Sequence, residues 1–469
     1  MIPYFPKQIA SRAILVYVAS LTLVSVFFFR HAMSFWYMLL GFVFVVGFFV
    51  LTNVCSMEWK DIREGLFLRY IFFIALSIRI VWVVASYYYY NAYTGSSFEY
   101  GAADSLGYHD EASWLAAEDW SVTWEYYFGE GSYGISDVGY PLYLTILYRI
   151  FGPDIMIPRL IKAFLSTIIC VLVYKIGKRS FGEQVGRMAG IMCVFMPNLI
   201  IYCGYHLKEV EMLFLEVAFL ERMDYLLRGK KIGFWSILLM TLLAASLFFF
   251  RTVLGIAAVL AAATGILISS TPSLKGGWRR TILVLYGVLC LIAVSGGTAM
   301  TEVEALWEQK DDNLSRKRLE QVSRGSQWAA YATGTVMAPM VVVLPFSTMV
   351  NVDQQYSQLT KHSGNFIRNF MGFFALLAII EAVRKKRLRE FAMLGVFVFA
   401  YLGIVSVSGF SNSERFLLPG LPVLILMWAY GVSELRQKTY FAMVPWCFLV
   451  IAMEFGWAFF KLGTRGLFY

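Results

Sequence analysis

Thirteen apolar runs of 17 to 24 residues follow one another along the chain: 13–29, 33–55, 70–93, 158–177, 187–206, 210–227, 232–250, 252–270, 281–300, 366–382, 391–408, 415–433 and 440–460. About 20 helical residues cross the hydrocarbon core of a bilayer. A chain built mostly of such runs has no soluble solution. Composition agrees, since 59% of the 469 residues are hydrophobic and 15% are charged, against about 45–50% and about 25% in a soluble domain. The expectation is an all-α polytopic membrane protein with about 13 transmembrane helices. The first run is not read as a cleaved signal, because no small-residue cleavage pattern follows it and Arg30-His31 closes it. The stretch 232–274 has one charge, Arg251, and reads as two spans turning at that residue.

Charge gives the chain a direction. A net charge of +9 suggests nucleic acid in a soluble protein, but no nucleic-acid-reading motif is present. Lys and Arg excess belongs instead to cytoplasmic loops. With Lys7 and Arg12 inside and the spans alternating, the inside loops hold Lys60, Arg63 and Arg69, then Lys175 to Arg187, then Arg228 to Lys231, then Lys275 to Arg280, and finally Arg384-Lys385-Lys386-Arg387-Leu388-Arg389. The aromatic content of 17% suits a protein with many bilayer interfaces. Six cysteines (55, 170, 193, 203, 290 and 447) lie in or beside apolar runs with no CxxC and no zinc spacing. They read as small core residues.

Two long segments then face the extracytoplasmic side. Residues 94–137 hold nine carboxylates (Glu99, Asp104, Asp110, Glu111, Glu118, Asp119, Glu125, Glu130 and Asp137) and no Lys or Arg. Residues 301–365 open with a mixed-charge stretch and continue into the apolar 331–350, which reads as re-entrant or interfacial. The resulting division is 1–93 (three spans, including an N-terminal hairpin), 94–137 (acidic outer loop), 138–300 (membrane core), 301–365 (outer cover) and 366–469 (C-terminal spans).

The acidic segment contains GAADSLGYHDEASWLAAEDW at 101–120. A helix starting at Asp104 or Ser105 puts Asp104, Tyr108 and Glu111 on one face, with His109 and Asp110 elsewhere. Trp114, Leu115 and Trp120 are candidate anchors to the membrane surface. Asp104 has two readings on its own sequence: a helix cap, or a carboxylate at the bilayer boundary serving as general base toward a hydroxyl.

The order of D-S-x-x-Y-x-x-x-A (Asp104 to Ala112), L-A-A-E-D-W (Leu115 to Trp120), G-Y-P-L-Y-L-x-x-L-Y-x-x-F-G (Gly139 to Gly152), R-L-x-x-A (Arg159 to Ala163) and V-Y-K-I-G-K-R-S-F-G (Val173 to Gly182) resembles glycosyltransferase family 39, best over 100–230. That family includes protein O-mannosyltransferases and lipid A aminoarabinose transferases. The resemblance returns at E-R-F-L-L-P-G-L-P, Glu414 to Pro422. It implies a GT-C-like membrane fold and an inverting transfer from a polyprenyl-phosphate-linked sugar to a glycan, lipid or protein acceptor. It also implies a bacterial cytoplasmic membrane, with the active site on the extracytoplasmic face. Asp104 matches the Asp that activates the acceptor in that family. Ser105 stands where an acidic partner is usual, so Glu111 or Asp110 would supply the second carboxylate. Three spans before the loop, where the family has one, are a second departure.

A departing lipid phosphate needs cations, because charge develops there in the transition state. Lys208, Arg251 and Arg415 fall at outer ends of expected helices, and Arg415 matches the family's late Arg. Each has a plainer reading as a side chain snorkelling to headgroups. Glu209 either orients Lys208 in a local ion pair or joins Asp104 around a divalent ion. His109 and His206 are candidate ligands whose partners the sequence leaves open, so metal use stays undetermined. Tyr108, His109 and Glu209 are supporting candidates. Arg79, Glu211 and Glu216 lie within spans, where ionisable residues default to functional candidates; backbone carbonyls are an equally good explanation of Arg79.

Two other activities fit the same outline. One is an O-antigen or exopolysaccharide polymerase or ligase using lipid-diphosphate oligosaccharides, which the acid-only outer loop disfavours. The other is a lipid-linked sugar flippase or transporter, which would place its polar site at the midplane within repeated halves. The topology itself is testable by cysteine labelling. Cysteines at Ser132 and Ser326 should react with an impermeant maleimide from the extracytoplasmic side, and one at Arg387 should not. The reverse pattern would invert the sidedness.

Overall fold

The computed structural model describes residues 2–129, 137–228, 234–268, 346–352, 356–407, 414–463 and 467. Each apolar run that falls on them is helical. The helices are α1 (Lys7–Phe27), α2 (Phe35–Glu58), α3 (Glu64–Thr94), α4 (Ala103–Ala117), α5 (Trp120–Phe128), α6 (Gly139–Phe151), α7 (Met156–Phe181), α8 (Glu183–Phe195), α9 (Pro197–Ile201), α10 (Glu209–Arg228), α11 (Phe234–Phe250), α12 (Thr252–Ile268), α13 (Tyr356–Arg384), α14 (Leu388–Val407), α15 (Leu421–Ser433) and α16 (Gln437–Gly463). A 3-10 turn, Glu414–Gly420, leads into α15. Among the described residues the only β contact is an isolated bridge between Ala32 and Val350.

Among the described residues, eight helices are long and apolar enough to cross a membrane, and a ninth if α8 and α9 count as one bent span. The chain is an all-α integral membrane protein on that evidence. The described residues do not account for all thirteen expected spans. Helices α11 and α12 are 17 residues each, the run 281–300 lies outside the described residues, and α10 carries five acids through its 20 residues. Arg251 does stand at the break between α11 and α12. Helix α13 starts ten residues before the expected run 366–382. Its first turns hold polar residues that find buried partners: Lys361 meets Glu414 at 3.3 Å, and His362 meets the Tyr17 hydroxyl at 2.8 Å. Most of the expected outer segment 301–365 lies outside the described residues, and its last ten belong to this helix.

The N-terminal pair α1 and α2 packs on α16 and α13. The seat is tight at Gly41, where a Cβ would come within 2.2 Å of the His362 ring. In the centre, α7 packs on α3, α8 and α10. The four described cysteines of the spans α2, α7 and α8 and of the turn at 203 are buried and free, and Cys447 is half-buried.

Basic loops collect at one end of the bundle. Lys178 pairs with Glu64 at 2.7 Å and Glu183 at 2.9 Å. Arg179 pairs with Glu221 and Asp224 at 2.8 and 2.7 Å, Arg187 donates to the Ile62 carbonyl at 2.8 Å, and Lys385 pairs with Glu434. The connections 59–63, 181–183 and 384–388 therefore share one end, as the charge pattern requires. Helices α4 to α6 sit at the other.

Arg79 explains how the bent span holds. Pro197 has no N–H, so the Cys193 carbonyl four residues back loses its helical donor, and α8 and α9 bend by 52°. Fully buried Arg79 donates to the Cys193 carbonyl at 3.0 Å, to that of Val194 at 3.3 Å and to Ser166 Oγ at 2.8 Å. Its role is to cap a broken helix. Arg79→Ala should lower stability by at least about 2 kcal/mol, since hydrogen bonds from a charged donor contribute about 1.5–3 each. Arg79→Lys should recover only part, because one ammonium cannot reproduce the fork. Melting temperature in detergent reads both; an unchanged value for Arg79→Ala would remove this role.

Candidate functional site

The acidic segment carries no cation of its own and folds by borrowing them. Arg149 of α6 donates to the carbonyls of Leu115 (2.8 Å) and Glu118 (2.6 Å) and to Thr123 Oγ1 (2.8 Å). It thereby satisfies the C-terminal end of α4, where cations are favoured, and its guanidinium lies 4.1 Å from the Trp120 ring centre. Leu115 is buried near Tyr127 and Val138, so it packs inward and does not anchor on lipid. Trp114 and Trp120 stay about half exposed.

Asp104 does not cap α4. The helix begins at Ala103 with no side-chain cap, and Asp104 sits in its first turn, where a carboxylate suits the helix dipole. Its carboxylate is paired with Arg415 of the 3-10 turn, 311 residues away in sequence. The neighbouring Ser105 donates its hydroxyl to buried Glu99. Glu99 also accepts the His206 backbone N–H at 3.3 Å and faces Arg159 at 3.7 Å. An acid does stand behind Ser105, and it comes from five residues before Asp104.

Among the described residues, neither expected second carboxylate pairs with Arg415 as Asp104 does. Glu111 accepts the Tyr127 hydroxyl at 2.9 Å, which ties α4 to α5, and burial raises its carboxyl above the usual range. Asp110 is exposed. The acids that act on Tyr108, one turn after Asp104, are Asp137, Glu209 and Asp104; with burial they keep its phenol neutral far above neutral pH.

The three candidate cations converge there. Lys208 lies 5.9 Å from the Tyr108 ring centre and pairs with Asp137, not with Glu209. Burial pulls its ammonium below the usual lysine value against the pull of Asp137. Arg251 lies 4.6 Å from the Phe416 ring centre and 3.5 Å from the Tyr401 hydroxyl. Arg415 lies 5.0 Å from the same Phe416 ring. Glu209 is 2% exposed, has one carboxylate oxygen without a hydrogen bond, and acts electrostatically on all three cations. Among the described residues no group of three or more His, Cys, Asp or Glu side chains gathers as a metal site.

Beneath the cluster, buried Lys162 fixes the turn that presents Lys208 and Glu209. It donates to the Tyr205 carbonyl and the Tyr140 hydroxyl, both at 2.9 Å, and to the Leu207 carbonyl. A hydroxyl–imidazole chain runs beside it, with Tyr148 Oη 2.9 Å from His109 Nδ1 and 3.1 Å from His206 Nε2. The histidines are thus held by a tyrosine. Glu99, Asp137, Lys162, Tyr148 and Tyr401 were not singled out in the sequence. Lys162 carried a signal, being a lysine inside an apolar run.

Comparison with protein-family models and with curated proteins finds no match for this chain.

Partial burial lowers the His109 pKa from 6.5, with Asp110 opposing. Below pH 6.5 the unfolded chain takes a proton that the folded chain resists, so this residue's contribution to stability is lost as pH falls through that window. Raised Glu111 works in the opposite sense, its contribution being lost as pH rises above 4.5. His109→Gln should therefore show a smaller fall in melting temperature between pH 7.5 and 5.5 than the unsubstituted chain. Equal falls would remove His109 from the pH response.

Proposed function

We propose that the chain is an integral-membrane glycosyltransferase that moves a sugar from a polyprenyl-phosphate donor to an extracytoplasmic acceptor with inversion. The observation that carries this reading is the convergence of Lys208, Arg251 and Arg415 around Asp104, at the end of the bundle opposite the basic loops. A lipid phosphate held at the membrane boundary needs such a set of cations, and a hydroxyl acceptor needs a base beside them.

In the proposed step, Asp104 takes the acceptor proton as the acceptor oxygen bonds to the anomeric carbon. The bond from that carbon to the phosphate oxygen breaks on the opposite side, and its electron pair leaves with the lipid phosphate. Arg415 offers two parallel donors to that phosphate, Lys208 a point charge. The bound phosphate competes with Asp104 for Arg415, so donor binding frees the base. Tyr108, neutral and wedged beside Lys208, can donate a hydrogen bond to substrate but not accept its proton.

Asp104→Asn tests the assignment. The lost ion pair is partly exposed and pairs of that kind contribute about 0–1 kcal/mol, so the variant should fold. Transfer from a radiolabelled lipid-linked sugar should fall by at least about a hundredfold, since general-base assistance contributes about 10²–10⁴. Asp110→Asn and Glu111→Gln should transfer nearly normally. Arg415→Ala should weaken donor use by about tenfold to a hundredfold, as expected for about 1.5–3 kcal/mol, and Arg415→Lys by less. Near-normal transfer by Asp104→Asn would refute its role as base. Lipid-linked sugar crossing the membrane without bond cleavage would favour a transporter.

A further inference from the structure

Helices α2, α3 and α13 enclose a half-open cavity of about 380 Å³. Its walls include Tyr37 and Leu40 of α2, Trp82, Ala85 and Tyr89 of α3, and Thr360 of α13. Helices α2 and α13 contribute their first turns and α3 its last three, so the cavity lies at the end of the spans opposite the basic loops. Trp82 to Tyr93 spans eleven helical steps, about 16 Å of helix. That is close to half of a hydrocarbon core about 30 Å thick, the depth of one leaflet.

The lining contains no charged residue, and several of its polar groups are already used. Trp82 Nε1 donates to the Ile201 carbonyl at 3.2 Å, Ser86 Oγ to that of Val83 at 3.1 Å, and Thr360 Oγ1 to that of Tyr356 at 3.3 Å. Lys361, next to Thr360, is buried against Glu414 and the rings of Tyr202 and Tyr205. A sugar would meet aromatic faces here but few free hydrogen-bonding groups. A prenyl phosphate would find no counter-charge in the lining.

We propose that this groove holds one acyl chain of a bilayer phospholipid as a resident ligand, bridging the N-terminal hairpin to α3 and α13. The occupant follows from two things: a length matching one leaflet on membrane-spanning helices, and an uncharged wall that is mostly aromatic. It does not depend on the proposed transfer.

The test uses the full chain in phospholipid nanodiscs doped with a phospholipid bearing a diazirine midway along one acyl chain. A parallel sample carries a diazirine on a polyprenyl phosphate. After illumination, mass spectrometry maps the adducts. The phospholipid probe should concentrate on the Leu40 and Ala85–Tyr89 peptides. Ala85→Trp, which fills the groove from an exposed position, should reduce those adducts at least tenfold. Val81→Trp, on the same helix, 67% exposed and outside the lining, should leave them within twofold. Should Ala85→Trp fail to fold, Ala85→Leu should still lower labelling severalfold with an unchanged melting temperature. Even labelling around α3 that ignores both fillings would mean ordinary boundary lipid and overturn the proposal. Preferential labelling by the polyprenyl probe, or loss of adducts on adding a soluble oligosaccharide, would overturn it in favour of those occupants.

Discussion

The described architecture depends on carboxylates and carbonyls of one segment being met by cations from four others. Residues 94–137 cannot neutralise themselves, and a buried acid such as Glu99, 6% exposed, is costly unless paired and hydrogen-bonded. Arg159 from α7, Arg149 from α6, Lys208 from the turn before α10 and Arg415 from the turn before α15 each take a share. The pairs hold α4 over the ends of the spans and bring distant parts of the chain to one place. The same long-range charge matching that orders the loop assembles the candidate site.

At the opposite end, ion pairs are mostly between adjacent spans, and they clip connections. Lys178 and Glu183 are five residues apart, and Arg179 and Asp224 lie on the packed helices α7 and α10. Between the two ends lies a core with polar residues of another kind. Arg79 and Pro197 form a unit in which a missing donor is replaced by a guanidinium. Tyr17 and His362 form another, which seats α1 against α13. These contacts explain Arg79 and Tyr17 inside apolar runs without invoking a pathway through the membrane.

Much of this was legible in the sequence. Run length and charge asymmetry gave helices where helices are found, a turn at Arg251, and basic loops on one end. The convergence of Lys208, Arg251 and Arg415 was expected from their positions at helix ends, with the family resemblance singling out Arg415. The errors have a common cause. Helical spacing put Glu111 on the face of Asp104, but Tyr127 of a second short helix claims it. Proximity in sequence paired Lys208 with Glu209, while Asp137 reaches it through space. Local rules describe one element at a time, and the partners that decide these side chains come from others. Lys162 shows the converse: its anomaly was visible, but its task of holding the 205–207 carbonyls was not.

Glu414 and Arg415 are neighbours with opposite duties, and the contrast bears on how such a site would work. Glu414 is 4% exposed. It accepts from Asn198 and from the Tyr202 hydroxyl and pairs with Lys361. Removing one partner of such a buried group costs several kcal/mol, so the turn Glu414–Gly420 has a fixed anchor. Arg415 follows that anchor, its side chain 30% exposed and its ion pair made with an Asp104 that is 46% exposed. That pair is worth about 0–1 kcal/mol, whereas a doubly bonded phosphate offers a guanidinium more. A rigid turn carrying an exchangeable cation would let a lipid phosphate displace Asp104 without moving backbone. The carboxylate would then be released beside the phosphate, and only when the phosphate is there. In the proposed transfer, the base would become available through the same exchange that binds the donor.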